Sequence, residues 1–114
     1  MELPGIYVAL TESLLRILSL SHEMAHLWGG VILYSLALCV PLARRVVALP
    51  VVVVCIAEAM NERLQASHYG SWRINDTLAD LGWTLTVPFM LYMGTLILRA
   101  VRRHAYADPA PAPG

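Results

Sequence analysis

The chain has 114 residues, enough for one domain, and is 58% hydrophobic and only 14% charged, against roughly 45–50% and about 25% in soluble domains. Its eight basic residues, all Arg, balance eight acidic ones, which excludes the basic footprint of a nucleic-acid-binding protein. With a mean hydropathy of +0.61, the composition predicts an all-α fold, a polytopic membrane helical bundle rather than a water-soluble core.

The first apolar segment, Ile6 to Leu20, is short and carries Glu12 and Arg16. Ile6, Tyr7, Leu10, Leu14, Ile17 and Leu18 share one side, the pattern of an interfacial amphipathic helix, with a tilted fourth span as the alternative. Glu2 stands where a signal peptide would need basic residues, so no removable targeting segment is expected. Segment two runs from His22 to about Ala43 and is ended by Pro41 and Arg44-Arg45. Segment three, Val46 to about Ala66, has Pro50 in its first turns, where a missing N–H is best tolerated. A loop with His68, Tyr69 and Trp72 as interfacial anchors follows.

Segment four spans about Asn75 to Leu98, and its internal Pro88 is expected to kink it by freeing the Thr84 carbonyl. Three transmembrane helices plus the N-terminal interfacial or spanning helix thus form a single membrane domain over residues 1–104. Residues 105–114 read as a disordered Pro/Ala-rich tail. Cys39 and Cys55 fall in apolar runs and form no metal or redox motif. The positive-inside rule puts Arg44-Arg45 and Arg99/Arg102/Arg103 in the cytoplasm, together with the C-terminus.

That orientation brings three pairs of ionisable residues to the outer side: His22 and His26, Glu58 and Glu62, Asp76 and Asp80. A spacing of four puts each pair on one helix face. Ionisable groups in lipid cost about 2.5–3.5 kcal/mol each on insertion scales and mark functional sites by default. Glu58, Asn61, Glu62 and Gln65 form a polar stripe, Thr84 lies one turn beyond Asp80, and Gly29 follows the histidines, where a missing side chain admits a neighbouring helix or a substrate.

Histidines with carboxylates make a nitrogen/oxygen site for a divalent cation (Zn, Mn or Mg), with His22, His26, Glu58, Glu62 and Asp80 as candidate ligands. His22-Glu23-Met24-Ala25-His26 also matches H-E-x-x-H, in which the histidines bind zinc and Glu23 activates water. Glu58, Asp76, Asp80, Glu23 and Arg73 are the candidate catalytic groups, Glu23 or Glu58 as base and Arg73 as anion binder. The structural alternatives are Asp76 as a helix N-cap, Asp80 as a dipole partner, and Glu62 paired with Arg63 or Arg73.

The order of these features resembles the VanZ-like family of small bacterial membrane proteins. His26 matches the histidine of that family's Asp-Lys-x-x-His start, Glu58 with Glu62 and Gln65 its Glu…Gln helix, Arg73 its loop arginine, and Asp76 its aspartate. Asp80 occupies the place usually held by Asn, and His22-Glu23 replaces Asp-Lys, the mark of a divergent relative. The resemblance implies a multi-pass protein of the bacterial inner membrane with an envelope role. Its outward-facing His/Glu/Asp cluster would bind a cation or a lipid-linked polar group. Two further functions are compatible with the residues: a metal-dependent membrane hydrolase acting on a lipid or phosphoester, and an accessory subunit of a larger membrane complex. Membrane lipids, a second copy of the chain or a membrane-protein partner are the expected contacts.

Overall fold

The computed structural model describes residues 2–107 and Gly114. Among these residues every regular element is helical, as the composition implies: α1 (Leu3–Leu18), α2 (His22–Leu38), a 3₁₀ turn (Pro41–Arg44), α3 (Leu49–Tyr69) and α4 (Ile74–Ala107). Helix α2 packs against both α3 and α4, α3 and α4 pack on each other, and α1 lies chiefly on α3.

The breaks follow from local chemistry. Pro4 falls in the first turn of α1, where its absent N–H leaves no bond unmade. Helix α1 ends at Ser19, which adopts a left-handed conformation (φ 52°), and the chain turns by 99° into α2. Ser21 caps α2 by accepting a hydrogen bond from the Met24 N–H at 3.2 Å, so His22 begins the helix with Glu23 in its first, electropositive turn. Gly70 closes α3 at φ 75° with its N–H bonded to the Ala66 carbonyl. A side chain there strains the backbone although nothing else crowds the position. Gly70→Ala is expected to cost about 1 kcal/mol of stability, read as a lowered unfolding temperature in detergent.

Several boundaries differ from those read in the sequence. Segment two was expected to run to Ala43, but α2 stops at Leu38 and residues 41–44 form the 3₁₀ turn. Pro41 forces Val40 into an extended conformation, and that ends the helix three residues before the proline. Helix α3 is shifted by three residues, to Leu49–Tyr69, because Pro50 belongs in a first turn and Gly70 is the stop. Helix α4 continues through Pro88, past Arg99, Arg102 and Arg103, to Ala107. Residues 105–107 are therefore helical rather than disordered; of the remaining Pro/Ala-rich tail, 108–113 lie outside the described residues.

Length and composition bear out only part of the expected count of spans. Among the described residues only α4 is by itself long and apolar enough to cross a membrane; α1 and α2 meet that test as a bent pair. Helix α2 is too short, and the polar stripe of α3 dilutes its apolar run. The distribution of polarity is inverted relative to a water-soluble protein. Glu58, Glu62, Asp80 and Thr84 are buried, whereas Leu10, Leu36, Ile56, Met60, Met90 and Ile97 are all more than half exposed.

Candidate metal centre

The buried polar residues meet where the first turns of α2, the middle of α3 and the first third of α4 converge. Helix α2 presents His22 and His26 on one face, their rings edge to face with centroids 4.7 Å apart. Their Nε2 atoms are 3.2 Å apart. Asp80 of α4 completes the group: its Oδ2 is 3.1 Å from His22 Nε2 and 3.4 Å from His26 Nε2. The three atoms therefore form a nearly equilateral triangle.

This triangle matches a metal shell. Tetrahedral zinc holds nitrogen and oxygen ligands at about 2.0–2.1 Å, which separates the ligand atoms by about 3.3–3.4 Å. The chemistry agrees with the spacing. His26 Nδ1 is 3.0 Å from Thr84 Oγ1, whose hydroxyl donates to Glu58 Oε2 at 3.1 Å. With its proton committed to Glu58, the Thr84 oxygen accepts, so His26 carries its proton on Nδ1 and turns the Nε2 lone pair towards His22 and Asp80. A histidine whose outer nitrogen donates into a hydroxyl and carboxylate is the arrangement that orients metal-binding imidazoles.

Glu58 therefore stands behind His26 rather than in the triangle. Its Oε1 lies 3.2 Å from His26 Nδ1 without the alignment of a hydrogen bond. Glu62 Oε2 accepts from Thr77 at 2.7 Å, and Glu62 Oε1 has no hydrogen-bond partner among the described residues. His26, Glu58 and Glu62 form a second group whose ligand atoms lie within 4.8 Å of one another. Of the two groups, the triangle is the better fit, because it uses the free lone pair of His26 while the second group competes with the Thr84 bond.

The remaining candidates stand at the rim. Glu23, Arg73 and Asp76, together with His22, Glu62, Asp80 and Trp83, border an open cleft of about 360 Å³. Arg73 Nε is 3.6 Å from Asp76 Oδ2, both side chains about two-thirds exposed, and the guanidinium lies 5.6 Å from the Tyr69 ring centre. Asp76 occupies the first turn of α4 and does not join the buried cluster. The pairing of Glu62 with Arg63 or Arg73 is replaced by the bond to Thr77.

Thr77 and the Tyr7–Asn61 hydrogen bond escaped the sequence reading. Thr77 had a signal, since positions 77, 80 and 84 share a helical face. Tyr7 had none, because its partner is 54 residues away. The close approach assigned to Gly29 occurs instead at Gly30. A Cβ on Gly30 would fall 2.0 Å from the Thr84 carbonyl oxygen, whereas one on Gly29 meets nothing within 4 Å.

No family model, curated protein or solved structure matches the chain.

Proposed function

We propose that this is a small multi-pass membrane protein that holds a divalent cation, zinc foremost, on His22, His26 and Asp80, in an envelope role of the VanZ-like kind. The observation that carries the reading is the Nε2–Nε2–Oδ2 triangle with edges of 3.1–3.4 Å. The membrane setting is supported by the inverted burial and by helix length. At about 1.5 Å per residue, the 21 residues of α3 and 34 of α4 exceed a hydrocarbon core of about 30 Å. The 17 residues of α2 come close to it. The 99° bend before α2 favours an interfacial α1. Arginines at 44–45 and 99–103 orient the cation site outward, with the C-terminus in the cytoplasm.

A specific observation favours a hydrolytic form of this function. Glu23 borders the same cleft as His22 and Asp80, within an H-E-x-x-H segment on a helix. A bound zinc would supply Lewis-acid polarisation and a water of lowered pKa. Glu23 would take the water's proton, Glu58 and Thr84 hold His26 in its tautomer, and Arg73 attract an anionic substrate group at the rim.

The test is metal content. Untagged protein purified in detergent should carry about one zinc per chain, and Asp80→Asn should carry almost none. Acidification should release the ion as protons compete for imidazole and carboxylate. Wild-type protein that takes up no more Zn²⁺, Mn²⁺ or Mg²⁺ than Asp80→Asn would end the proposal.

A further inference from the structure

Two cavities of opposite character meet at His22. The open cleft is lined by four carboxylates, Glu23, Glu62, Asp76 and Asp80, against one guanidinium, Arg73. This is an excess of three negative charges, which a divalent cation reduces to one. A second cavity, of about 310 Å³, extends beneath α1; most of its wall area is apolar, with Leu15, Leu33 and Ala57 in it, and His26, Glu58 and Asn61 also line it. His22 borders both. From His22 to Leu33 this second cavity follows α2 for eleven residues, about 16 Å at 1.5 Å per residue, roughly half of a 30 Å hydrocarbon core and so the depth of one leaflet.

Tyr7, Thr11 and Leu15, spaced by four, turn one face of α1 to the cavity, and the Tyr7–Asn61 hydrogen bond fastens that face to α3. Gly29 leaves open space on the α2 wall.

A single ligand spanning both cavities needs a cationic group at one end, an alkyl chain at the other, and a metal-seeking oxygen between. We infer that the site binds a zwitterionic, amine-bearing phospholipid. The ammonium lies among Glu23, Glu62 and Asp76, a phosphoryl oxygen faces the His22/His26/Asp80 centre, and one acyl chain enters the cavity beneath α1. An anionic headgroup fits worse, because the cleft stays net negative with the cation in place. The phosphoryl contact rests on the metal centre proposed above; the preference for the amine does not, since the carboxylates provide it with or without metal.

Lipid binding can be followed through Trp83, which borders the cleft. Detergent-purified full-length protein, its metal content measured in parallel, is titrated with a short-chain phosphatidylethanolamine, the matching phosphatidylglycerol, and deacylated glycerophosphoethanolamine. The fluorescence response should vanish in Trp83→Phe. The ethanolamine lipid should bind about tenfold more tightly than the glycerol lipid, and the deacylated headgroup weaker again by a similar factor. Gly29→Leu, whose Cβ meets nothing within 4 Å and whose isobutyl group takes up cavity space, should weaken the lipid but not the deacylated headgroup, and should leave metal content unchanged.

Equal affinity for the two lipids, or lipid binding indifferent to Gly29→Leu, overturns the inference even if the protein carries its metal. A metal-free protein that keeps both preferences instead removes the metal centre and leaves the lipid site standing.

Discussion

His26→Ala is expected to strip the protein of metal and to lower its stability by about 1–3 kcal/mol, the usual cost of leaving buried polar groups without their partner. The side chain is only 9% exposed and sits between Glu58 and Asp80, whose side chains are equally sequestered. Its removal leaves both carboxylates facing a void, with Glu58 still accepting from Thr84.

His22 touches the same Asp80 oxygen but is 51% exposed. His22→Ala should therefore lose metal equally while costing only about 1 kcal/mol or less without metal, as for pairs near solvent. Thermal unfolding of both variants in detergent, with and without added Zn²⁺, checks the contrast. Zinc should raise the unfolding temperature of the wild type and of neither variant. Equal stability of the two metal-free variants would show that His26 is not the hub of the buried cluster.

Gly30→Ala should be more damaging than the same exchange at Gly29, Gly70, Gly82 or Gly94. Pro88 has no N–H to offer the Thr84 carbonyl, and the freed oxygen lies against Gly30, so that an added Cβ would sit 2.0 Å from it. The obstacle is backbone on a rigid helix and cannot rotate away. Helices α2 and α4 must separate, and overpacking of this kind costs about 1–3 kcal/mol or more.

The separation also draws His26 away from Thr84 and Asp80, so metal affinity should fall together with stability. Gly29→Ala, one residue away and facing open space, should leave both intact and add about 0.5–1 kcal/mol of helix propensity. A circular-dichroism melt and a metal assay on the two variants distinguish them. A Gly30→Ala protein as stable as the wild type would mean that the helices are not in contact at this point.

The architecture was legible because helices announce themselves locally. Apolar content and four-residue spacings identified four helical segments and placed His22 with His26, and Glu58 with Glu62, on shared faces. The ends were less legible. Val40 ended α2 early because the residue before a proline avoids helical backbone, and α4 ran past its arginines because arginine is a good helix former. The number of membrane spans was read from apolar runs; among the described helices α4 alone meets the length and hydropathy of a span by itself, α2 being slightly short and α3 long enough but diluted by its polar stripe.

Roles within the cluster were less legible still. Glu58 and Asp80 looked alike as buried carboxylates, but one oxygen of Asp80 faces both imidazole Nε2 atoms while Glu58 lies behind His26. Asp76, in helical register with Asp80, turned outward to Arg73.

The order of the residues alone determined that this chain is helical, that its apolar surface needs a non-aqueous environment or a partner, and that histidines and acids line particular helix faces. These properties depend on spacing within one helix and on the cost of burying charge. Tertiary structure decided which of those side chains meet in the triangle, which stand behind it and which only border the cleft. Those roles depend on contacts of 3.0–3.4 Å between residues up to 58 positions apart, set by how closely Gly30 lets α2 approach α4. Periodicity within a helix carries no record of that distance.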